Sequence, residues 1–311
     1  MSGRGADSVA YRPRRPRVAL IAGTATETNI DIVRSWRALG LDASVLRPAQ
    51  ALAFLRPGDV ALGRLDVRRS LDGVETGLLE LAELRRRGVR VLNPSATLLR
   101  AHDKLRTAGA LAAAGVCHPP TEHITPARPW PALAPPVVVK PRFGSWGSDV
   151  LRCDSVAELR AAVRAIASRP WFRRQGAVVQ SLVPPLGYDL RVLVAGGEVV
   201  GAESRIAAAD DWRTNISLGG TSCPAIVPPR ARAVAIAAAA AVAGDFVGVD
   251  LLPGDRDYVV IEVNGSVDFE ARYALPGRDV FVDIASALGV TDDANVDVAA
   301  ASFAGADAAR V

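Results

Sequence analysis

The sequence predicts an α/β fold with more than one domain. Its 311 residues are about twice a usual domain, and short β-type runs alternate with helical patterns along most of the chain. Half of the residues are apolar and 23% are charged, which excludes a mainly disordered or fibrous protein. The longest apolar run, at 233–244, is too short to span a bilayer, so no transmembrane helix is expected.

Residues 18–94 form the first predicted domain, an alternating unit of strands and helices. The strands are short apolar runs, and the helices show apolar residues at spacings of three and four. The predicted strands lie at 17–22, 41–46, 60–62 and 89–92, and the helices at 30–39 and 77–87. Gly23, after the first strand, does not open a G-x-G-x-x-G motif, so the dinucleotide-binding fingerprint is absent.

Two further domains are predicted at 95–183 and 184–290. The first begins with two short helices within 95–115 and continues through a stretch with seven prolines at 119–136, expected to be a linker or a rigid loop before a strand at 137–140. The second is predicted to hold two hairpins and an alanine-rich helix, at 190–202, 245–264 and 230–242.

Both chain ends are predicted to lie outside these domains. Residues 1–17 hold five arginines and one aspartate, which accounts for the net charge of +4 of the whole chain. We expect a disordered basic tail there and a second tail at 291–311, with a nucleic-acid or membrane arm as the alternative for the basic tail. The three cysteines form no close pair, which favours a reducing cytoplasm over a disulfide framework or a zinc site.

Only two of the 37 basic residues are lysines, Lys104 and Lys140. An ammonium is a compact charge with three donors, whereas a guanidinium is a planar fork, and some phosphate sites need the former. Lys140 also ends an apolar strand and precedes a loop of small residues at 141–148, whose amides could fold over a polyphosphate. The pattern indicates a phosphate site. The alternatives are that the two lysines are present by chance and that the loop is a plain turn.

Oxygen ligands for a metal are predicted on the second hairpin. Side chains alternate along a strand, so Glu262 and Asn264 share one face. If Leu252 pairs with Tyr258, Asp250 lies diagonal to Glu262, close enough for both carboxylates to reach one cation. Such a set, without His or Cys, suits Mg²⁺. A strand with solvated polar residues on its outer face is the alternative.

Between the hairpins lies a polar cluster formed by Arg205, Asp210, Asp211, Arg213 and Asn215. Arginines beside an acidic metal site suit anionic groups such as a γ-phosphate, a transferring phosphoryl group or a carboxylate. A solvated loop with local ion pairs is the alternative, and the same two interpretations apply to Asp189 and Arg191. No G-x-S-x-G motif or nucleophilic cysteine setting appears, so covalent hydrolase chemistry is disfavoured.

Taken together, these segments resemble the ATP-grasp superfamily, and within it the RimK-type α-L-glutamate ligases and the related amino-group-carrier ligases of lysine and arginine biosynthesis. The resemblance covers 18–290. It implies an N-terminal Rossmann-like domain followed by two ATP-grasp subdomains that clamp the nucleotide. The segments that carry it are Asn93-Pro94, His102-Asp-Lys-Leu105, Val139-Lys-Pro141, Gly144-Ser-Trp-Gly147, Gly187-Tyr-Asp-Leu-Arg191, Trp212-Arg-Thr-Asn215, Gly219-Gly220, Asp250 and Glu262-Val-Asn264.

The resemblance also implies a nucleotide site and a metal site. The residues implied to bind ATP are Lys104, Lys140, Gly144, Ser145, Gly147, Gln180, Ser181, Leu182, Asp189, Arg213 and Asn215. The residues implied to bind Mg²⁺ or Mn²⁺ are Asp250, Glu262 and Asn264. Arg205 and Lys140 are implied to act on the phosphoryl group in transfer, and Asp189 is implied to bind the ribose. At the adenine hinge the family usually has Glu where this chain has Ser181, which leaves the backbone contacts of Ser181 and Leu182.

The implied reaction activates a substrate carboxylate with the ATP γ-phosphate, and an amine then attacks the acyl phosphate to give an amide, ADP and phosphate. Glutamate is the implied amine, and the implied acceptor is a small molecule, a peptide or a small carrier protein with a carboxylate. We expect a cytoplasmic enzyme that acts without membrane or nucleic acid, as a homodimer or homotetramer. A non-catalytic nucleotide-binding protein on the same fold is the alternative, supported by Ser181 alone.

Overall fold

The computed structural model describes residues 14–254 and 257–291. Most of the predicted basic tail at 1–17, and the predicted second tail beyond residue 291, lie outside the described residues. At the start of the described chain, the Arg14 guanidinium pairs with the buried carboxylate of Asp59 at 2.7 Å. Within the described ranges, no helix is long and apolar enough to cross a membrane.

The first part of the chain is a four-stranded parallel sheet with helices, as predicted. Its order is β2-β1-β3-β4. Thr26 caps the first helix by accepting a hydrogen bond from the amide of Asn29, and the helix buries Ile32 and Trp36. The elements are β1 (Arg17–Ile21), α1 (Glu27–Ala38), β2 (Asp42–Leu46), α2 (Pro48–Phe54), β3 (Val60–Gly63), α3 (Leu78–Arg86) and β4 (Arg90–Leu92), of which α2 was not predicted.

The middle part is an antiparallel sheet of order β5-β8-β6-β7 with helices around it. The proline-rich stretch predicted to be a linker or loop contains a strand of this sheet, because its residues 121–124 pair with 177–180. The elements are α4 (Ser95–His102), α5 (Lys104–Ala113), β5 (Thr121–Ile124), β6 (Val137–Pro141), β7 (Leu151–Cys153), α6 (Val156–Ile166), α7 (Pro170–Gln175) and β8 (Ala177–Ser181).

The last part is a five-stranded antiparallel sheet of order β11-β10-β9-β12-β13. Both predicted hairpins are present, and Gly196 and Gly197 form the turn of the first with φ of 55° and 83°, as expected of a two-residue hairpin turn. The elements are β9 (Tyr188–Ala195), β10 (Glu198–Ile206), β11 (Thr221–Pro224), α8 (Pro229–Ala241), β12 (Phe246–Pro253), β13 (Tyr258–Asn264) and α9 (Val280–Ala287).

The register of the second hairpin differs from the predicted one. Tyr258 pairs with Pro253 instead of Leu252. A bulge then shifts the ladder by one further residue, because Leu251 pairs with Val260 whereas Asp250 pairs with Glu262. As a result Asp250 lies directly opposite Glu262 instead of diagonal to it. Opposite residues of an antiparallel pair have Cβ atoms about 5 Å apart, so the corrected register brings the two carboxylates closer than predicted.

Helices cover the apolar parts of this sheet, and one part of it remains polar. Helix α8 covers one face through buried small side chains such as Ala235 and Ala238, which allow close approach. Helix α9 packs against α1 and against β10 near the first hairpin turn, and so connects the C-terminal sheet to the first part of the chain. The polar part of the sheet faces the middle sheet and carries the charged residues described next.

Candidate active site

Charged side chains from four neighbouring strands meet on the polar face of the C-terminal sheet. Strand alternation places them there, because β9, β10 and β13 each contribute two residues two positions apart and β12 contributes one. Cross-strand pairing then sets Arg205 opposite Asp189 and Arg191 opposite Asp250. The members of this polar face are Asp189, Arg191, Glu203, Arg205, Asp250, Glu262 and Asn264.

Two arginines and two aspartates in this face form a buried ion network. Arg191 donates from Nε and Nη2 to the two oxygens of Asp250, each at 2.8 Å. Arg205 donates from Nε to Asp189 at 2.8 Å, and its Nη2 lies 2.9 Å from Asp250. Burial alone would raise the pKa of Asp250, but the charges of Arg191 and Arg205 outweigh it and hold the pKa below its usual value. Both arginines are therefore fixed in position as cations.

The two lysines of the chain lie on the opposite side of a cleft from this network. Lys104 Nζ donates to the carbonyl of Gly144 at 2.7 Å and to Glu262 Oε1 at 2.8 Å. Burial lowers the pKa of Lys140 to about 8, the charge of Lys104 adds to the shift, and Glu262 opposes it. Two ammonium groups on the wall of one cavity favour the binding of an anion there.

A cavity of about 980 Å³, with its open mouth included, separates the middle sheet from the polar face. Every predicted nucleotide and catalytic residue lines it, together with two of the three predicted metal ligands. The predicted site residues on its wall are Lys104, Lys140, Gly144, Ser145, Gly147, Gln180, Ser181, Leu182, Asp189, Arg205, Arg213, Asn215, Asp250 and Glu262. Asn264 lines a second cavity instead.

The loop of small residues at 141–148, here called the glycine-rich loop, closes over this cavity and is bound to the segment at 213–217. Arg213 donates to the carbonyl of Gly147 at 3.1 Å, and Ser217 donates to the carbonyl of Trp146 at 3.0 Å. Gly147 has φ of 70°, and a Cβ atom there would come within 2.8 Å of Asn215 Oδ1. A glycine is required at this contact, because any other residue would be strained and would push the two loops apart.

The second cavity, of about 1300 Å³ with its open mouth, adjoins the first. Ser145, Arg205, Asn215 and Glu262 line both cavities and so mark the junction between them. The far wall of the second cavity comes from the start of α1 and from the segment at 266–273. A molecule in one cavity can therefore meet a molecule in the other beside the Arg205 guanidinium.

Comparison with known proteins identifies this arrangement. The profile of the family described as RimK-like ATP-grasp domain matches residues 101–288. The chain belongs to the RimK-like ATP-grasp family. A probable alpha-L-glutamate ligase of Thioalkalivibrio sulfidiphilus is 35% identical over 210 residues, which are 66% of this chain and 68% of that protein. A ribosomal protein bS6--L-glutamate ligase of Salmonella paratyphi B is 34% identical over 212 residues, 66% of this chain and 69% of that one.

Solved structures show the same ATP-grasp fold. A RimK domain protein ATP-grasp from Sphaerobacter thermophilus has a TM-score of 0.61 at 23% identity, covering 88% of this chain and 99% of that one. The D-alanine–D-alanine ligase of Bacillus anthracis complexed with ATP has a TM-score of 0.61 at 16% identity, covering 91% and 95%. The predicted fold class and family are thus confirmed. The chain is an ATP-dependent carboxylate–amine ligase, and the non-catalytic alternative is not favoured.

The segment predicted to be the adenine hinge uses some of its polar groups within the protein. The amide of Ser181 donates to the carbonyl of Pro120 at 3.1 Å, and the amide of Leu182 donates to Pro136 at 3.0 Å. The Gln180 amide donates to the Thr121 hydroxyl at 2.8 Å. These hydrogen bonds hold the segment to the middle sheet and use the backbone N–H groups of Ser181 and Leu182. Of the backbone contacts expected with a ligand, those of the two carbonyl oxygens therefore remain.

Asp189 also makes internal contacts in this ATP-grasp site. It is 1% exposed, and it accepts from Arg205 Nε and from the Thr214 hydroxyl at 2.6 Å. Because its two oxygens are engaged in these bonds, its geometry supports a positioning role for Arg205 more than the ribose contact that the resemblance implied.

The donor chemistry of Asp250, Glu262 and Asn264 fits a hard divalent cation. The two carboxylates lie opposite each other, and the Asn264 side chain, two residues along from Glu262, holds a buried Nδ2 atom without a hydrogen-bond partner in the described ranges. Oxygen ligands from one or two carboxylates suit Mg²⁺. A trio of His, Cys, Asp or Glu placed for a metal is absent from the described residues, so the third protein ligand would have to be the amide oxygen.

Several residues of the second cavity were missed by the sequence analysis. Glu203 lies two positions before Arg205 on the same strand, so strand alternation would have placed it on the polar face. Trp146 belongs to the Gly144–Gly147 segment that carries the family resemblance, but no role was predicted for its side chain. Arg272 and Asp66 are brought to the cavity by the segment at 266–273 and by the first part of the chain. The sequence holds no local signal for these two, because their positions depend on tertiary packing.

Asp66, on the wall of the second cavity, gives a prediction about stability. Burial raises its pKa to about 6, and the charges of Asp268 and Glu75 add to the shift. The folded state therefore binds more protons than the unfolded state between pH 4 and 6, so this group's contribution to stability falls as the pH rises through that range. We expect Asp66→Asn to raise the free energy of unfolding by about 2 kcal/mol at pH 8 and to change it little at pH 4.

Thermal unfolding of both proteins at pH 4 and pH 8 measures this difference. The exposed Asp210→Asn variant is the matched control, because it removes the same charge outside both cavities. Equal effects of the two substitutions at pH 8 would show that the charged carboxylate of Asp66 does not destabilise the folded state.

Proposed function

We propose that this ligase joins the amine of glutamate, or of a similar amino acid, to the carboxylate of a peptide, protein or small-molecule acceptor. The observation that carries the proposal is the junction of the two cavities at Arg205. The cavity with the lysines and the closed loop suits a nucleotide, and the adjoining cavity has room for an acceptor and an amine. The names of the two relatives supply glutamate and, for one of them, a protein acceptor.

In the proposed site the phosphates of ATP lie between the lysines and the glycine-rich loop. Lys104 and Lys140 neutralise their charge, and the loop with Gly147 excludes water while it is fastened by Arg213. Asp250, Glu262 and Asn264 would hold Mg²⁺ or Mn²⁺, which neutralises phosphate charge when bound. To receive it, the carboxylates would exchange their present partners Arg191, Arg205 and Lys104.

Arg205 is proposed to stabilise the phosphoryl group as it passes to the acceptor. Its guanidinium is held by Asp189, a contact that metal binding at Asp250 leaves in place, so it needs no rearrangement when charge develops beside it. The γ-phosphoryl group moves to an oxygen of the acceptor carboxylate, giving ADP and an acyl phosphate. The amine then bonds to the acyl carbon, loses a proton, and phosphate leaves with the transferred oxygen atom.

Oxygen-18 transfer tests this assignment. The purified chain is incubated with ATP, Mg²⁺, glutamate and a mixture of tripeptides whose C-terminal carboxylates carry ¹⁸O. We expect ADP formation that needs both glutamate and the tripeptides, one ¹⁸O atom in each released phosphate, and products heavier by one glutamyl residue. Label that enters phosphate from ¹⁸O-glutamate instead would mean that glutamate is the activated acid, and ADP formation without either partner would contradict the ligase assignment.

A further inference from the structure

The two adjoining cavities differ in charge. The nucleotide cavity is lined by four basic and three acidic side chains, whereas the second cavity is lined by seven acidic and three basic ones. The three basic residues of the second cavity are also tied to carboxylates, since Arg191 and Arg205 pair with Asp250 and Arg272 pairs with Glu203 and Glu270. The potential in the second cavity therefore favours a positively charged occupant.

Glu203, on the floor of this cavity, has an unused acceptor. It is 1% exposed, and its Oε2 accepts from Arg272 Nε at 2.7 Å. Its Oε1 is buried without a hydrogen-bond partner within 3.5 Å in the part of the chain that the structure describes. The Tyr273 hydroxyl is near the same carboxylate: burial raises the pKa of Tyr273, and Glu203 adds to the shift. Because Arg272 is shared with Glu270, the three side chains together keep one negative charge. A buried carboxylate oxygen without a donor is costly, so it marks a place for a donor from a ligand.

The wall opposite Glu203 adds further negative charge. Glu27 and Asp31 on α1 face the same cavity, as do Asp66 and Asp268. Asp268 accepts from the Thr26 hydroxyl at 3.2 Å and lies 3.7 Å from a nitrogen of the buried Arg64. Acidic groups from the first domain and from the C-terminal sheet thus surround one space, and a cation there would relieve their mutual repulsion.

Apolar contacts are available beside the acids. Trp146 of the glycine-rich loop and Ile216 of the loop that fastens it both line the cavity, and they are 43% and 44% exposed. The methylene stem of a lysine or arginine side chain packs well on such surfaces, and its charged group gains from the face of a tryptophan ring.

We propose that the acceptor is a cationic molecule whose reacting carboxylate lies at Arg205 and whose ammonium or guanidinium group is bound by Glu203. This inference rests on the proposed function and names its acceptor class. Glu203 precedes Arg205 by two positions on β10, so the two sites are separated by about 7 Å. A lysine or arginine side chain spans this distance from its own carboxylate, as at the C-terminus of a basic peptide.

Four matched tripeptides test the proposal: Ala-Ala-Lys, Ala-Ala-Arg, Ala-Ala-Met and Ala-Ala-Glu. Their binding is measured by calorimetry on the full chain saturated with Mg²⁺ and a non-hydrolysable ATP analogue, and their ligation is followed by ADP release with glutamate present. We expect the two basic peptides to bind at least 10-fold more tightly than the methionine peptide, which matches lysine in length without its charge. The glutamate peptide is expected to bind most weakly.

Two variants connect this preference to the proposed residues. Glu203→Gln is expected to remove the preference for basic over methionine peptides, whereas Glu198→Gln, an exposed glutamate of the same strand, is expected to keep it. Since Glu203 is buried and its replacement could disturb folding, the double variant Glu27→Gln, Asp31→Asn on the surface of α1 serves as a second test. It is expected to weaken basic peptides about 3-fold at low salt and less at high salt.

The outcomes separate this inference from the proposed function. Selective binding of basic peptides without ADP release would leave the cation site standing and overturn the reaction. Ligation of all four peptides with equal efficiency would support the reaction and overturn the cation site. Persistence of the preference in a folded Glu203→Gln protein, or no binding of any peptide, would also overturn the cation site.

Discussion

Replacing Arg205 by lysine is expected to lower kcat by about 100- to 1000-fold and to change the KM for ATP by less than about 5-fold. The guanidinium contacts Asp189 and Asp250 at once and lies at the junction of the two cavities. A lysine keeps the charge but cannot hold both carboxylates and still present a fixed donor to the phosphoryl group. The substitution is therefore expected to weaken stabilisation of the transition state more than binding of ATP.

Steady-state kinetics with an ATP titration measures this split. Arg160→Lys on α6 is the matched control, because it is an exposed arginine outside both cavities. The melting temperature of each variant shows whether the buried network survives, since a broken buried ion pair costs about 3–5 kcal/mol. A large rise in the KM for ATP with kcat unchanged would assign Arg205 to nucleotide binding instead of phosphoryl transfer.

The sequence predicted which polar residues share one face of a strand, but it did not predict how neighbouring strands pair. Alternation alone placed Glu262 and Asn264 on one side of β13, and the structure agrees. The position of Asp250 relative to Glu262 was predicted two residues out of register, because Tyr258 pairs with Pro253 instead of Leu252 and the bulge leaves one further residue unpaired. Bulges arise from twist and packing of the whole sheet, which a single strand does not encode.

The two lysines were the most informative residues of the sequence. In a chain with 35 arginines, Lys104 and Lys140 come from separate elements, yet both line the cavity between the middle sheet and the polar face. Composition could single them out because ammonium and guanidinium groups differ in how they bind phosphate.

The arginines were harder to place from sequence. Arg205 was predicted to meet anions or to sit in a solvated loop, and the structure shows it buried against two aspartates from neighbouring strands. Pairing of this kind depends on the order of strands β10, β9 and β12. Strand order follows from the complete fold, so local patterns did not reveal it.

Asn93 shows how a motif residue can serve the fold instead of the chemistry. It follows β4 with φ of 48° and is fully buried. Its Oδ1 accepts from the amides of Asp245 and Phe246 at 2.9 and 3.1 Å, and its Nδ2 donates to the carbonyls of Phe246 and, at 3.2 Å, Gly265. One side chain thus connects the first domain to the start of β12 and to the residue after Asn264.

Asn93→Ala is expected to lower the free energy of unfolding by about 4 kcal/mol, because it leaves buried backbone groups of Phe246 and Gly265 without partners and puts alanine in a left-handed conformation. The melting temperature should fall by roughly 10 °C. Asn93→Gly separates the two causes, since glycine adopts that conformation without strain but loses the same hydrogen bonds. It should therefore be less destabilised than Asn93→Ala by about 1 kcal/mol. A loss below 1 kcal/mol in both variants would mean that water or a shifted backbone replaces these bonds, and that apolar packing alone holds the first domain to the C-terminal sheet.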